Sequence, residues 1–215
     1  MDKLESALIK GRVCLRHAKQ DNNLYSDEVA QEIEEISNEV ITGTKISPER
    51  WEDAWDFIFQ NASVGKKIEF LQVAEKVMDD EQKKSIDRQI LEKGSFLDSI
   101  QFCSSMDWAD VPLHQDKILK TTSAGICRDF YKKVPTASYY KTFKRIIELK
   151  DEAKKNVNAE DVNKQIQAKF SVALAKSALD EVSKIMENSK VRRVYARREL
   201  KKIFPITEKS KEFKL

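Results

Sequence analysis

Apolar residues recur every three or four positions along most of this chain, which is the spacing of one face of an α-helix. The segment VAQEIEEISNEV, residues 29–40, is an example, and it follows Ser26, a residue type that favours the N-cap. This spacing predicts a helix that begins after Ser26 and ends near Gly43. The next segment, SPERWEDAWDFIF, places a proline at the first helical position and predicts that Trp51 and Trp55 share one buried face.

The longest periodic segment advances in steps of four residues and contains neither glycine nor proline from residue 158 to residue 185. It predicts one long helix with a continuous apolar stripe. A last helix, or the last turns of the long one, is expected over VRRVYARRELKKIF, with its end at Pro205. The stripe of the long helix consists of Val162, Ile166, Phe170, Leu174, Ala178, Val182 and Ile185.

Two segments between these helices differ in pattern. In residues 95–116 the apolar residues are clustered rather than periodic, which predicts a long packed connection. Further on, a helix that begins near Ser138 directs Tyr139, Phe143 and Ile146 toward the core.

Composition supports a helical fold, because only five glycines and four prolines occur in 215 residues and hairpin sheets need such turn residues regularly. The sequence therefore predicts an all-α protein with a single domain. We expect an amphipathic helical arm over residues 1–46, a helical core over residues 47–204 and a mobile charged tail over residues 205–215.

Charge is divided along the chain although the formal net charge is only +3. Residues 1–116 contain 14 Lys and Arg against 24 Asp and Glu, a balance of −10, and residues 117–215 sum to +13. The two halves can neutralise each other within one fold, drive association between copies, or offer the basic half to a polyanion. The sequence leaves these three outcomes open.

Motifs for catalysis and metal binding are absent from the sequence. It has no G-x-G-x-x-G motif, P-loop, H-E-x-x-H motif or paired C-x-x-C motifs, and only two histidines. We therefore predict a protein that is not an enzyme and that needs no cofactor or metal. Cys14, Cys103 and Cys127 stand among apolar residues and are expected to be buried thiols. No apolar run approaches the roughly 20 residues that cross a bilayer, so we expect no membrane partner and a cytoplasmic location.

The stretch from Arg128 to Glu148 interleaves charge and rings, since six of its residues are Lys or Arg and five are Phe or Tyr. Three cations of this stretch, Lys141, Lys144 and Arg145, are expected to line a side of the helix away from the core and to neutralise neighbouring phosphates. Tyr131 and Tyr140 fall outside the apolar stripes and could stack on bases. The alternative is a solvated lysine face with tyrosines at its margin.

A second basic cluster, Arg192, Arg193, Arg197 and Arg198, has the same two interpretations, phosphate binding or a solvated basic face. A third is that these arginines pair with the acidic half of a neighbouring subunit.

Several short segments of the C-terminal third occur in an order that is known from one protein family. KRIIE at residues 144–148, AKSAL at residues 175–179 and VYARRELKKIF near the end resemble the second half of rod-shaped plant-virus coat proteins of the tobamovirus and tobravirus kind. The resemblance covers residues 139–206. It does not extend to the N-terminal half, and Glu199, Leu200 and Phe204 replace the family's F-E pair and final tryptophan.

The resemblance implies a fold and a set of contacts. The fold is an antiparallel four-helix bundle whose subunits stack helically around single-stranded RNA. Arg145 would match an RNA-contacting arginine, Lys176 a second basic contact, and Glu148 one of the carboxylates that repel each other at the inner radius.

Taken together, these observations predict a self-assembling, non-enzymatic structural protein that binds single-stranded RNA without sequence specificity, and a virion location if the resemblance holds. The alternative is a cytosolic helical interaction or scaffold protein without a nucleic-acid ligand. The predicted RNA contacts are Lys141, Lys144, Arg145, Lys176 and Tyr140, and the predicted subunit-interface residues are Glu148, Arg193, Arg197 and Arg198.

Overall fold

A computed structural model describes residues 2–21, 23–24 and 26–203 of the chain, and every regular element within them is a helix. The all-α prediction is confirmed. The predicted tail, residues 205–215, lies outside the described residues. The helices are α1 (Lys3–Gln20), α2 (Asp27–Ile46), a 3-10 turn (Pro48–Arg50), α3 (Trp51–Asn61), α4 (Val64–Ala74), α5 (Asp80–Lys93), α6 (Phe96–Ser105), α7 (Val111–Ile118), α8 (Ala124–Lys133), α9 (Tyr139–Lys154), α10 (Val162–Asn188) and α11 (Lys190–Ile203).

The chain divides into two compact units, residues 1–92 and residues 93–215. This boundary does not coincide with the predicted division at residue 46, because α1 and α2 contact α3 and α4 within the first unit.

In the first unit, α1 and α2 approach each other closely at Gly43. The helix continues to Ile46, so the predicted end at Gly43 is wrong. A Cβ atom on Gly43 would lie 2.8 Å from the Cα atom of Leu4, a separation that real Cβ atoms do not reach. The glycine therefore permits helix contact rather than ending a helix.

Aromatic rings fill the rest of the first core. Trp51 and Trp55 are buried, as predicted, and the Trp55 ring lies 5.8 Å from the Phe70 ring between centroids. The indole Nε1 of Trp55 donates a hydrogen bond to the Gln89 side-chain oxygen at 2.5 Å, which ties α5 to α3. A buried indole N–H is thus satisfied.

In the second unit, residues 95–116 form two short helices, α6 and α7, and not the predicted connection. Ser95 caps α6 in a capping box with Asp98, and Asp110 caps α7 through the amide of Leu113. The prediction was wrong because helices of ten and eight residues have too few turns for their apolar spacing to stand out.

The remaining helices surround a second core. Helices α8, α9 and α10 all contact one another, and α11 contacts α9 and α10. Phe130, Tyr131, Val134, Ile146 and Val182 are among its buried residues.

The apolar stripe predicted for α10 does not lie on one buried face. Val162, Ile166 and Phe170 are 64%, 58% and 69% exposed, whereas Ala178 and Val182 are fully buried. Four residues turn an α-helix by ~400°, so each step of four moves the stripe ~40° around the axis and carries its first half away from the core. The face toward the core instead alternates steps of four and three, through Ala168, Val172, Ala175, Leu179, Val182 and Met186.

Candidate nucleic-acid interface

The start of α9 is fixed by one buried side chain, Gln115 of α7. Its amide nitrogen donates to the carbonyl oxygen of Ser138 and to the hydroxyl of Thr142, each at 3.0 Å. Its amide oxygen accepts from the backbone N–H of Ser138 at 2.8 Å. The Ser138 hydroxyl caps α9 through the amide of Lys141, and the helix begins near Ser138 as the sequence predicts. This clamp orients the predicted site residues of the first two turns.

Arg145 is held inside the second unit by its own neighbours. One guanidinium nitrogen donates to Glu148 at 3.3 Å and to Glu152 at 3.1 Å, and the other terminal nitrogen donates to the carbonyl oxygen of Thr121 at 3.1 Å. Only 19% of the side chain is exposed. Glu148, predicted to lie in a subunit interface, is thus a partner of Arg145. An RNA phosphate would have to compete with these contacts.

The other predicted cations are distributed over two helices. Lys141 forms an ion pair with Asp116 at 2.8 Å. Lys144 is exposed and lies ~100° around α9 from Arg145. Lys176 is exposed on α10. Neither Lys144 nor Lys176 forms an ion pair with any residue that the structure describes. The predicted cations therefore do not converge on one stripe of a single helix.

The two tyrosines proposed for base stacking differ in accessibility. Tyr131 is fully buried in the second core, so its predicted role in stacking is wrong. Burial raises the pKa of its phenol, and the Arg192 guanidinium opposes this shift. Tyr140 is 38% exposed, and its backbone N–H donates to the Glu199 carboxylate at 3.4 Å, which places it beside α11.

Helix α11 is held on the second unit by one buried cation. Arg192 is only 6% exposed, and its guanidinium carbon lies 4.3 Å from the centre of the Tyr131 ring. It also donates to the carbonyl oxygen of Lys132 at 3.0 Å. Ala196, one turn further on, is buried as well. These contacts determine which face of α11 is exposed.

The exposed face of α11 carries a stripe of cations, which we call the α11 stripe: Lys190, Arg193, Arg197 and Lys201. The steps of three and four residues keep these side chains on one side of the helix over ~16 Å. Lys190, Arg193 and Arg197 also line a shallow depression of about 240 Å³. Within the part of the chain that the structure describes, none of the four is in an ion pair.

Arg193, Arg197 and Arg198 are predicted from the sequence as subunit-interface residues, whereas Lys190 and Lys201 are not among the predicted site residues. Helical spacing was the available signal, since the four positions of the α11 stripe recur at intervals of three, four and four. Glu199 is the single carboxylate of α11 and lies on its half-buried side. The stripe therefore has no compensating charge from its own helix.

Tyrosines border the same side of α11 as Glu199. Tyr195, one turn before Glu199, is 39% exposed, and Tyr140 contacts Glu199 from α9. The cations of the α11 stripe can neutralise phosphates, and these rings, on another side of the helix, can stack on bases.

Two other kinds of site were sought in the described residues. No group of three or more His, Cys, Asp or Glu side chains there is arranged to hold a metal ion. None of the helices in that part of the chain is both long and apolar enough to cross a membrane. Cys14, Cys103 and Cys127 are buried free thiols.

No protein-family model, curated protein or solved structure matches this chain. The resemblance to rod-shaped plant-virus coat proteins therefore stays a prediction from residues 139–206. Phe204, one of its points of departure, lies outside the described residues.

Proposed function

We propose that this chain is a non-enzymatic structural protein that self-assembles and binds single-stranded RNA without sequence specificity. The α11 stripe is the observation that carries the proposal. Four exposed cations lie on one face of α11, and no carboxylate of the helix lies on that face, so they repel one another. Binding of a polyanion removes this repulsion.

The mode of binding follows from the α11 stripe and from the rings on the Glu199 side of α11. Lys and Arg neutralise phosphates and release condensed counterions, which favours any RNA sequence equally. Tyr140 and Tyr195 provide ring faces on which any base stacks. Lys144 and Lys176 add exposed charge on α9 and α10. The main contact is therefore α11 rather than Arg145, because the Arg145 guanidinium already donates hydrogen bonds to Glu148, Glu152 and the carbonyl oxygen of Thr121.

Several finer features of the sequence prediction belong to this proposal. They are an antiparallel four-helix-bundle-like core over residues 47–204, a cytoplasmic or virion location, and subunit contacts through Glu148, Arg193, Arg197 and Arg198. The resemblance to helical plant-virus coats supports them.

The test is the salt dependence of binding to poly(U). A variant with Lys190, Arg193, Arg197 and Lys201 all changed to Gln loses four cations, and we expect its log K against log salt slope to become shallower by ~2.8. At low salt its affinity should fall by at least about tenfold. The matched control changes four cations of α1 to Gln: Lys3, Arg12, Arg16 and Lys19.

Two single variants separate α9 from α11. Lys144→Gln is expected to weaken RNA binding slightly, and Arg145→Gln is expected to change it by less than about twofold, because that guanidinium is occupied. An equal loss in the α1 control and the α11 variant, or a wild-type protein that does not bind RNA at low salt, rejects the proposal.

A second candidate is the scaffold function, which the exposed residues Val162, Ile166 and Phe170 favour. An unpartnered apolar helix face is typical of a protein-binding surface. In that case the wild-type protein associates with protein but has no affinity for poly(U) at 50 mM salt or below.

A further inference from the structure

The N-terminal half of α10 presents an apolar stripe that no described residue covers. Val162, Ile166 and Phe170 are each more than half exposed. We call these three residues the α10 stripe. It is ~12 Å long, because eight residues separate its ends at a rise of ~1.5 Å each. A contiguous apolar patch with a phenylalanine at its end is the usual mark of a contact surface.

Two lysines border the α10 stripe on one edge. Lys169 and Lys176 follow Ile166 by three and ten residues, which places both roughly 60–80° from the centre of the stripe. Both are exposed. The opposite edge carries the neutral side chains Asn163 and Gln167. The surface is therefore apolar with a basic margin.

A groove in the first unit has the opposite character. It runs between α1 and α2, with a volume of about 670 Å³. Its buried floor includes Cys14, Ala18 and Ile36, and Ile9 and Val13 form an apolar wall that is 42% and 41% exposed. We call it the α1–α2 groove.

Carboxylates line the rim of the α1–α2 groove. Glu32, Glu35 and Glu39 follow one another along α2, and Asp21 closes the end of the groove. Lys10 neutralises Glu39 through an ion pair at 2.8 Å, which leaves three carboxylates without a lysine partner at the rim. Burial raises the pKa of the Cys14 thiol in the floor of the groove, and Glu32 raises it further.

The two surfaces agree in length and charge. The α2 side of the groove extends from residue 29 to residue 39, ~15 Å along the helix, and therefore accommodates the ~12 Å stripe. With α10 antiparallel to α2 and Val162 level with Glu39, the stripe lies within the groove and Lys169 lies level with Glu32. Lys176 lies ~9 Å past Phe170, toward Asp21 at the end of the groove.

We propose that the α10 stripe of one copy docks in the α1–α2 groove of a second copy of this chain. This inference rests on the self-assembly in the proposed function and names its surfaces. Charge complementarity selects the second copy as the occupant. Docking covers Phe170 and Ile166 and sets Lys169 against the carboxylates of α2, with Lys176 toward Asp21.

The contact is heterologous, since each copy uses a different surface from its partner. The assembly always keeps one free stripe at one end and one free groove at the other, so that addition continues until a ring closes or a filament grows. A symmetric pair of α10 stripes is less favourable. In an antiparallel pair, both lysine edges fall on the same side and repel each other.

Two blocked variants test the docking. Phe170→Glu places a carboxylate on the stripe, where it meets the acidic rim, and Val13→Arg places a bulky charged side chain on the apolar wall of the groove, where it obstructs the α10 stripe. Both positions are exposed, so we expect circular dichroism and thermal unfolding close to those of the wild type. The control is Leu97→Glu, a change at a 51% exposed leucine of α6.

The readout is mass by light scattering over a concentration series, for the single variants and for their equimolar mixture. We expect the wild type and Leu97→Glu to assemble, and each blocked variant alone to stay monomeric to at least about tenfold higher concentration. The mixture should form one-to-one dimers and nothing larger, because only one intact stripe and one intact groove remain between the two chains.

Other results overturn the proposal. If Val13→Arg assembles as the wild type does while Phe170→Glu does not, the groove is not the occupant's site and the stripes pair symmetrically or bind elsewhere. If the mixture stays monomeric, the two surfaces do not meet. If both variants assemble normally, this inference fails while self-assembly stands. A wild type that is monomeric at every concentration, with and without poly(U), defeats self-assembly itself.

Discussion

Arg192 of α11 lies over the ring of Tyr131 in α8, with its guanidinium carbon 4.3 Å from the ring centre. Both side chains are buried, and Arg192 additionally donates to the carbonyl oxygen of Lys132. A planar cation that stacks and donates at the same time orients a helix more strongly than a lysine does. The buried Arg192 thus fixes the orientation of α11 and, with it, the direction in which the exposed basic residues of this helix point.

Replacement of Arg192 should loosen α11. Arg192→Met keeps an apolar stem but loses the cation–π contact and the hydrogen bond, for which we expect a decrease of ~1–3 kcal/mol in the free energy of unfolding. Urea denaturation measures this decrease. Limited trypsin digestion should cut within α11 faster in the variant than in the wild type. The control is the exposed neighbour, Arg193→Met, with an expected change below about 0.5 kcal/mol. Equal losses in the two variants would contradict the buried role of Arg192.

Two glycines in helices should respond oppositely to alanine. A Cβ atom at Gly43 meets the backbone of Leu4 at 2.8 Å, so Gly43→Ala must push α1 from α2 and should destabilise the protein by ~1–3 kcal/mol. At Gly65 the nearest atom, the Ser63 hydroxyl, is 4.0 Å away. Gly65→Ala should therefore stabilise by ~0.4–1 kcal/mol through lower unfolded-state entropy. Thermal or urea unfolding of both variants decides the point, and a stabilising Gly43→Ala would refute the close helix contact.

Alkaline pH should weaken the second unit through Cys127. Burial raises the pKa of this thiol from its ordinary value of 9.0 to about 11, against a smaller opposing effect of Arg145. The folded state thus keeps a proton that the unfolded state loses above pH 9, so this contribution is fully present below pH 9 and is lost as pH rises to about 11. The expected slope is up to ~1.4 kcal/mol per pH unit.

Cys127→Ala isolates that contribution. Its free energy of unfolding should fall less steeply than that of the wild type between pH 9 and pH 11, while the two pH profiles run parallel below pH 8. Urea denaturation at half-unit pH intervals gives both profiles. Parallel profiles over the whole range would show that Cys127 does not titrate differently in the folded and unfolded states.

The sequence predicts the helix that carries the cations Lys141, Lys144 and Arg145 but does not predict which of them are free to bind a ligand. Lys141, Lys144 and Arg145 are near one another along the chain and do lie on α9, as the helical spacing requires. Their availability differs, because Asp116 and Thr121 approach from other segments and occupy Lys141 and Arg145. The spacing of residues along the chain does not predict which distant side chains or carbonyl groups will bond to these cations.

The sequence by itself determined the helical class, the capped start of α9 at Ser138 and the long uninterrupted α10, because these depend on local spacing and on the scarcity of glycine and proline. Only the tertiary structure decided that Tyr131 is buried, that Gly43 marks a helix contact, and that Phe170 faces outward. Each of these depends on which surface another helix covers, and that choice is made by contacts between residues far apart in the chain.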